Sequence, residues 1–504
     1  MISKIHSMVP YGFEGKLVEV EGDMNRGLPA FNIVGMANKT INEAKERVRS
    51  AIVNSGFSFP DKKVTINLAP AELLKDGTYL DLPIALAILT LSGHLIKNDT
   101  INRAFVGELS LNGEIRPLKG IINIVEVAKN AGYDEIYVPV KNLSQASLVS
   151  DVEIYGVDTL QNLYLALKNQ LELPSAKEKG RAPGQARIVG SGPFLDHIRG
   201  QSLAKRAIEI AVAGHHNILI SGPPGSGKTL LAKAAANLLP ELTAEEMVTI
   251  TKIYSIAGLS TDEVITERPF RSPHHTSSSV SIIGGGAMAT PGEISLAHKG
   301  ILFLDEIPEF PRSVLEALRQ PLEDRQIVIS RANKKSVYPA DFMLVATMNP
   351  CPCGYLGDAT HECTCTEMQI QNYQKKISGP LFDRIDMNVI AEKISNEELR
   401  VPINSKNAIH NVVKNNITGA ILKQKLRYGR SGVYNSSLSS FEVSQKLKLE
   451  PTAEKLLANA SEKLGLSARS YFKTIKVAQT IADIEGSDII RSKHLAEALT
   501  YRKR

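Results

Sequence analysis

The residues with the most specific chemistry lie in a glycine-rich stretch near the middle of the chain, Gly222–Thr229, which matches G-x-x-x-x-G-K-[ST]. An apolar run, 217–221, precedes it and a helix-like run, 230–236, follows it. This order of strand, glycine loop and helix is typical of a phosphate-binding site. The N–H groups of the loop and the N-terminus of the helix both attract an anion. Lys228 would reach the β and γ oxygens of ATP, and the Thr229 hydroxyl would bind Mg²⁺. The predicted nucleotide-binding residues are Gly222, Pro223, Pro224, Gly225, Ser226, Gly227, Lys228, Thr229 and Leu230.

Two acids and one amide follow apolar, strand-like runs further along the chain. Asp305 and Glu306 come after the run 301–304, and Asn349 ends the run 342–348. Ligands of open parallel sheets bind at the carboxyl ends of the strands, so we expect these side chains beside the phosphate loop. Asp305 would hold Mg²⁺ through water, Glu306 would polarise the attacking water, and Asn349 would position that water. Without the phosphate loop, the two acids would be an ordinary solvated strand end.

All four cysteines lie within residues 351–365, as two C-x-C pairs. Four soft ligands in one short loop suit a tetrahedral Zn²⁺ ion, although each pair is spaced more tightly than is usual for zinc. Such clustering is typical of a metal or redox site in a reducing compartment rather than of disulfides that join domains. A reduced thiol cluster and redox disulfides remain the alternatives. The predicted zinc ligands are Cys351, Cys353, Cys363 and Cys365.

A cationic turn lies between two strand-like runs, 326–330 and 336–340. The pattern predicts a β-hairpin whose tip carries Arg331, Lys334 and Lys335. Cations at such a tip can follow a phosphate backbone. We therefore expect the three cations to bind DNA, with a merely solvated turn as the alternative.

The elements that must position these groups belong to a chain of 504 residues, long enough for about three domains. With 43% hydrophobic residues, 22% charged residues and a net charge of +6, the composition is typical of a globular protein and excludes disordered and collagen-like classes. No apolar run is long enough for a membrane helix, and the first residues lack the apolar stretch of a secretory signal. We expect a cytoplasmic protein without a membrane partner.

The pattern of apolar runs divides the chain into four segments. Residues 1–172 alternate strand-like and helix-like runs, whereas 173–198 are rich in Pro, Gly, Ala, Lys and Arg and indicate a solvated linker. Residues 199–392 alternate buried strands with helices, which is typical of an α/β fold with a parallel sheet. Residues 393–504 are mostly helical by periodicity and predict a small helical domain.

Together these motifs resemble the AAA+ ATPases. Asn349 matches their sensor 1, Arg384 lies in a segment similar to the one with their arginine finger, and Arg469 opens a helix similar to the one with sensor 2. The resemblance implies an α/β AAA+ P-loop domain with a C-terminal helical lid. It also implies a ring in which Arg384 completes the site of a neighbouring subunit. A surface ion pair or a helix cap is the alternative for each arginine.

The stretch between Lys228 and Asp305 is longer than one helix, one strand and short loops require. With the hairpin at 326–340, this insertion resembles the helix-2 insert and pre-sensor-1 hairpin of the AAA+ clade that contains magnesium chelatase and the MCM helicases. Three stretches resemble the bacterial magnesium chelatase-like proteins of the competence protein ComM family, at 272–276, 291–298 and 349–354. That resemblance implies a homohexameric ATPase that drives branch migration of DNA during natural transformation.

The first segment resembles the α+β Lon-protease-like domain, which is also called ribosomal S5 domain 2-like. Residues 74–79 align with the Lon segment that carries the catalytic serine, but Tyr79 takes the serine position. Ile122 takes the position of the dyad lysine, with Lys119 offset from it. A phenol and an alkyl chain cannot replace a nucleophilic alkoxide and its amine base, so we expect no peptidase activity. In this family the domain would serve assembly or DNA handling.

Two other functions are compatible with the same ATP site. One is a chelatase-type ATPase that remodels a protein partner, and the other is an unfoldase that feeds a protease. The missing dyad disfavours the unfoldase. The cationic hairpin and the family resemblance favour the DNA motor, a branch-migration helicase, over the remodelling ATPase.

Overall fold

The computed structural model describes residues 2–35, 38–73, 78–177, 192–286, 289–331, 334–358, 361–393 and 408–502. These residues form two main β-sheets with helices packed against them, followed by a helical segment. Within the described part of the chain, no helix is both long enough and apolar enough to cross a bilayer.

A mixed sheet of seven strands organises the amino-terminal part. Its strands and two short strands beside it are β1 (Ile2–Tyr11), β2 (Glu14–Asn25), β3 (Ala30–Val34), β4 (Lys63–Ala69), β5 (Arg103–Phe105), β6 (Glu108–Leu109), β7 (Ile115–Arg116), β8 (Glu135–Pro139) and β9 (Glu153–Val157). The helices are α1 (Asn38–Asn54), α2 (Asp81–Leu91), α3 (Ile121–Asn130), α4 (Leu143–Ala146) and α5 (Leu160–Leu167). The strand order is β3-β4-β2-β1-β5-β8-β9.

Successive side chains of the long hairpin of β1 and β2 point to opposite faces, and one of these faces packs into the core. Ile5 pairs with Val20, Ser7 pairs with Val18, and all four are buried. Helix α2 packs on this face and is buried around nearly its whole circumference, as its continuous apolar sequence requires.

A five-stranded parallel sheet forms the centre of the chain. Its strands are β10 (Ile218–Ser221), β11 (Phe270–Arg271), β14 (Ile301–Leu304), β17 (Met343–Met348) and β18 (Met387–Ile390). The order is β11-β14-β17-β10-β18, and every neighbouring pair is parallel. The prediction of a parallel sheet is therefore confirmed. Because all strands run the same way, their carboxyl ends share one edge.

Helices and two short strands surround the five-stranded sheet in the central part of the chain. They are α6 (Ser202–Gly214), α7 (Lys228–Leu238), α8 (Ala244–Ala257), α9 (Ser279–Ile283), β12 (Gly284–Gly285), β13 (Thr290–Pro291), α10 (Glu293–Leu296), α11 (Arg312–Ala317), α12 (Pro321–Asp324), α13 (Glu367–Gln374) and α14 (Gly379–Phe382). Elements α8 to α10 occupy the stretch between Lys228 and Asp305 that the sequence predicts to be an insertion.

The predicted hairpin is present as β15 (Gln326–Arg331) and β16 (Lys334–Pro339), which pair antiparallel from Gln326 opposite Pro339 to Arg331 opposite Lys334. Its base is anchored in the core, because Ile327 and Ile329 are buried and the Tyr338 hydroxyl donates to the Ala289 carbonyl at 2.8 Å. The hairpin therefore projects from a rigid base.

Five helices follow within the described residues 408–502, as the periodicity predicts: α15 (Ala408–Tyr428), α16 (Ser440–Lys446), α17 (Pro451–Leu464), α18 (Ala468–Ile484) and α19 (Ser492–Thr500). Their apolar faces share one core with the central sheet, in which Ile475 and Leu495 pack with Ile208 and Ile218. The helical segment and the sheet are thus one packed unit.

Both ends of the predicted linker 173–198 are held by hydrogen bonds. The Pro174 carbonyl accepts from the Gly156 N–H, and the Ala176 N–H donates to the Ile154 carbonyl, so this segment pairs antiparallel with β9. The Asp196 carboxylate accepts the N–H groups of Ile409 and His410 at the start of α15. Residues 178–191 lie outside the described part. The amino-acid composition of these ends predicts a solvated linker, because backbone hydrogen bonds do not depend on residue type and cannot be inferred from composition.

The amino-terminal part contacts the central part through polar groups. The Asn142 and Gln145 amides donate to the carbonyls of Thr261 and Glu263 at 2.8 and 3.0 Å, just after α8. Phe13, in the turn between β1 and β2, meets Tyr338 of the hairpin edge to face at 6.0 Å. The insertion and the hairpin base are therefore both attached to the amino-terminal part.

Candidate nucleotide site and cysteine cluster

The phosphate loop lies where β10 ends and α7 begins, at the carboxyl edge of the parallel sheet. The Gly222 N–H donates to the Met348 carbonyl at 3.2 Å. A Cβ at Gly222 would lie 2.3 Å from the Ala391 carbonyl oxygen, so only glycine fits there. Gly227 has φ +85° and turns the chain into the first residue of α7, Lys228. The N-terminus of an eleven-residue helix thus opens onto the loop.

The other predicted loop residues divide into exposed and buried ones. Pro224 and Gly225 are exposed, whereas Ser226 is buried, and its hydroxyl donates to the Pro223 carbonyl at 2.9 Å. Leu230 lies in the first turn of α7 with 48% of its surface exposed. The loop therefore presents a surface to a ligand while its own turn is closed by internal hydrogen bonds.

Lys228 connects the loop to the end of β17. Its ammonium donates to the carbonyls of Gly222 and Pro223 at 2.7 and 2.8 Å, and to Asn349 Oδ1 at 3.2 Å. Burial lowers the pKa of Lys228, and the carboxylates of Asp305 and Glu306 oppose this shift. The structure thus brings Lys228 and Asn349 together, where both can contact a terminal phosphate.

Asp305 and Glu306 follow β14 at the same edge. Asp305 Oδ2 accepts from the Thr229 hydroxyl at 3.2 Å, which places together the two groups expected to hold Mg²⁺. Glu306 has φ +52°, uncommon for a residue with a side chain, and its side chain is exposed.

Thr347 organises both acids and is absent from the residues predicted above. Its hydroxyl donates to Asp305 Oδ1 and accepts the Glu306 N–H at 3.0 Å. Thr347 is fully buried in β17, two residues before Asn349. The signal in the sequence is one hydroxyl within an otherwise apolar strand that ends at a candidate site.

The four cysteines converge after β17. The Sγ atoms of Cys351, Cys353 and Cys363 are 3.3 to 3.7 Å apart, and one ligand atom from each of the four cysteines lies within 4.8 Å of the others. Tetrahedral zinc with Zn–S bonds of about 2.3 Å requires sulfur separations of about 3.8 Å. The donor set and its spacing therefore fit a Zn²⁺ ion.

The cysteine cluster contacts the phosphate loop. A Cβ at Gly354 would lie 2.8 Å from Cδ of Pro224, so the backbone of this segment packs directly on that proline. The Pro350 carbonyl, between Asn349 and Cys351, accepts from Gln374 at 3.2 Å. The cluster is thus placed to fix the position of Asn349.

Arg384 lies at the opposite edge of the sheet. Its carbonyl accepts from the Asn217 amide at 3.0 Å, and the Asn217 carbonyl accepts the Asp386 N–H, before β10 and β18 begin. The four residues of β10, at about 3.3 Å each, separate this edge from the phosphate loop by about 13 Å. Arg384 therefore cannot reach a nucleotide in its own loop.

Arg469 lies at the same remote edge, although it comes from the helical segment. One turn further along α18, Lys473 donates to the Ile385 carbonyl at 3.0 Å and pairs with Asp386 at 3.1 Å. Burial alone would raise the pKa of Asp386, but Lys473 and the His216 side chain hold it below its ordinary value. This buried pair fixes the start of α18, so both predicted arginines face away from the phosphate loop of their own chain.

The cationic tip of the hairpin is described in part. The backbones of Arg331 and Lys334 pair in register, while their side chains lie outside the described residues. Lys335 is exposed. Exposure at the end of an anchored hairpin is compatible with a nucleic-acid contact and with a solvated turn.

The described positions that resemble the Lon dyad hold a phenol and an alkyl side chain. Burial raises the pKa of Tyr79 to about 12, and Ile122 is fully buried in the core. Lys119 points to the central part, where a Cβ at Gly258 would meet its Nζ at 2.6 Å. Residues 74–77 lie outside the described part.

Comparison with known proteins places the chain near magnesium chelatase. Family models match over most of the chain: "Magnesium chelatase, subunit ChlI" at 194–399, "Subunit ChlI of Mg-chelatase" at 20–142, and "Magnesium chelatase, subunit ChlI C-terminal" at 409–502. Similarity to the "Magnesium-chelatase 67 kDa subunit" of Chlorobaculum parvum is 29% identity over 161 residues, which cover 31% of this chain and 23% of that protein.

Two relatives match over nearly their full length. The chain is 41% identical to "Competence protein ComM" of Haemophilus influenzae and 40% identical to the protein YifB of Escherichia coli. Each match covers 99% of this chain and 97% of the relative. The chain therefore belongs to the ComM/YifB family of magnesium chelatase-like proteins.

Proposed function

We propose that this chain is an ATP-hydrolysing DNA motor, a branch-migration helicase, that works as a cytoplasmic homohexamer in recombination during natural transformation. The family makes it an ATPase of the magnesium chelatase-like AAA+ class. The observation that carries the proposal is that the residues predicted to form one ATP site lie at two opposite edges of the sheet. Phosphate loop, magnesium ligands and Glu306 lie at one edge, while Arg384 and Arg469 lie at the other.

A ring joins the two edges. The edge that carries Arg384 and Arg469, where the parallel strands begin, is the amino edge of the sheet. If each subunit places its amino edge against the carboxyl edge of the next, the two arginines reach the neighbour's triphosphate and neutralise charge that develops on the γ-phosphate. Such a heterologous contact closes into a ring when the rotation permits it. Lys228 would then hold the phosphates, Thr229 and Asp305 would hold Mg²⁺, and Glu306 would accept the proton of the water that Asn349 positions.

The amino-terminal part would serve assembly or DNA handling as a Lon-protease-like domain without its dyad. Its contacts with α8 and with the hairpin base support this role, because they attach it to the two insertions of the central part. The chemistry at Tyr79 and Ile122 supports the absence of peptidase activity.

DNA is the proposed partner because the hairpin carries three cations at its tip, which in a ring would face the central pore. We expect R331Q/K334Q/K335Q to lower the DNA-stimulated part of ATP hydrolysis about tenfold, and to reduce its salt dependence, because each lost phosphate contact lowers the salt slope by about one. Basal hydrolysis without DNA should stay within about twofold, because none of the three cations is assigned to the phosphate loop or to the magnesium site. The measurement is steady-state ATPase activity against DNA and salt concentration.

A matched control removes the same charge elsewhere. Three exposed lysines of the helical segment serve this purpose in the variant K448Q/K455Q/K463Q. Equal loss of stimulation in both variants would show that overall charge, not the hairpin, determines DNA binding.

The second candidate is a magnesium chelatase-type ATPase that remodels a protein partner, which the three family models favour. Both functions use the same ATP site, so hydrolysis alone does not separate them. Two observations together would favour the remodelling function over the motor. DNA would not stimulate the wild-type ATPase activity at low salt, and the chain would bind a metal-inserting protein.

We further propose that Cys351, Cys353, Cys363 and Cys365 bind one structural Zn²⁺ ion. Protein purified without chelator is expected to contain about one zinc per chain, and the variant C353S/C365S should lose most of it, because two serines cannot replace two thiolates. Elemental analysis by mass spectrometry measures the content. Less than about half a zinc per wild-type chain would favour a thiol cluster or disulfides, which free-thiol titration separates.

A further inference from the structure

The two arginines of the amino edge converge on one carboxylate. Arg384 Nη2 lies 2.6 Å from Glu323 Oε2, and Arg469 pairs with the other oxygen, Oε1. Arg384 is held further by the carbonyls of Arg319 and Pro380, at 3.0 and 2.6 Å. One carboxylate thus binds two guanidinium groups from different parts of the chain, which is the arrangement that a phosphate would also satisfy.

These groups line a cavity of about 620 Å³ at the amino edge. Its other acidic side chains each pair with a lysine. Asp341 binds Lys299 at 2.7 Å, Asp386 binds Lys473 at 3.1 Å, and Glu442 binds Lys446 at 3.0 Å. Among the described lining residues, Glu323 is therefore the acid that holds Arg384 and Arg469.

The pair of arginines needs a counter-charge. Burial and the nearby Arg319 lower the pKa of Arg384, while the carboxylates of Asp383, Glu316 and Asp324 oppose this shift. Only 9% of the Arg384 side chain is exposed, compared with 38% for Glu323. Glu323 is thus the more solvent-accessible partner of this ion pair.

We infer that Glu323 is a positioning residue that keeps Arg384 and Arg469 together at an empty boundary and competes for them with the triphosphate of the neighbouring subunit. The inference rests on the proposed function, and specifically on an ATP site shared between subunits. A bound triphosphate displaces the carboxylate, so part of the affinity for ATP is spent on breaking the two ion pairs.

The variant E323Q tests this competition. Glutamine keeps the size of the side chain and one acceptor oxygen, but it removes the charge that opposes phosphate. We expect the Kd of the hexamer for a non-hydrolysable ATP analogue, and the KM for ATP without DNA, to fall about three- to tenfold. The control is E153Q, because Glu153 is also 38% exposed and pairs with one lysine, Lys177, in the amino-terminal part.

A double-mutant cycle assigns the effect to the arginine. In an R384A background, adding E323Q should change the Kd for the analogue less than about twofold. Without Arg384, the Glu323 carboxylate no longer competes with the triphosphate for that arginine. A merely structural role would instead lower the melting temperature in both backgrounds and leave the ratio of the two Kd values unchanged.

The outcomes separate the inference from the proposed function. Unchanged or weaker analogue binding by folded E323Q hexamers overturns the role of Glu323, as does the same shift with and without Arg384. Loss of DNA stimulation in the wild type overturns the DNA motor but not the competition, which is measured without DNA. A wild type that stays monomeric with every nucleotide overturns both.

Discussion

The variant E306Q is expected to hydrolyse ATP about 10²–10⁴-fold more slowly than the wild type, because the amide cannot accept the proton of the attacking water. The backbone of Glu306 is held by Thr347 and by its own left-handed conformation, so the isosteric side chain should occupy the same place. ATP binding should therefore stay within about threefold of the wild type. Steady-state turnover and equilibrium binding of the nucleotide check the two parts separately.

The matched control is E309Q. Glu309 follows Glu306 in the same turn, but its carboxylate pairs with Lys376 at 3.3 Å, and the two side chains are 40% and 47% exposed. Exposed ion pairs of this kind contribute little to stability, so the turnover of E309Q should remain within about twofold of the wild type. E306Q turnover within tenfold of the wild type, at full ATP occupancy, would contradict the assignment of Glu306 as the base.

The carboxyl edge of the sheet could be predicted because its groups follow from local patterns. The glycine loop, the acids after an apolar run and Asn349 each lie at a strand end, and a parallel sheet brings strand ends together whatever the strand order. The hairpin also follows from two strand-like runs with a polar turn, although the paired strands extend further than predicted and include Arg331, Lys334 and Lys335. Such signals need no knowledge of distant contacts.

The amino edge could not be predicted in this way. Arg469 resembles a residue that senses nucleotide, but its place depends on how α18 packs against the start of β18, a contact between residues far apart in sequence. Glu323 has no local pattern at all, because an acid before a strand is commonly solvated. Thr347 was missed for a related reason, since a threonine within an apolar strand is common and only its two hydrogen bonds reveal its role.

The variant R384A is expected to lower ATP turnover of the homohexamer about 10³–10⁵-fold, the range that an arginine finger contributes. K228A should be inactive as well, because its loop lacks the phosphate-binding lysine. Mixing the two variants should restore activity. In a random one-to-one ring, about a quarter of the boundaries join an intact loop to an intact arginine. ATPase activity against mixing ratio is the measurement.

The geometry makes this complementation specific to a site in trans. Within one chain, Arg384 and Lys228 lie at opposite edges of the sheet, so an arginine acting in cis would give no recovery at any ratio. The matched control mixes R384A with the double variant K228A/R384A, in which intact loops meet no intact arginine, and activity should stay at the level of R384A alone. Full activity of R384A by itself, together with no recovery on mixing, would show that the ion pair with Glu323 is the whole role of this arginine.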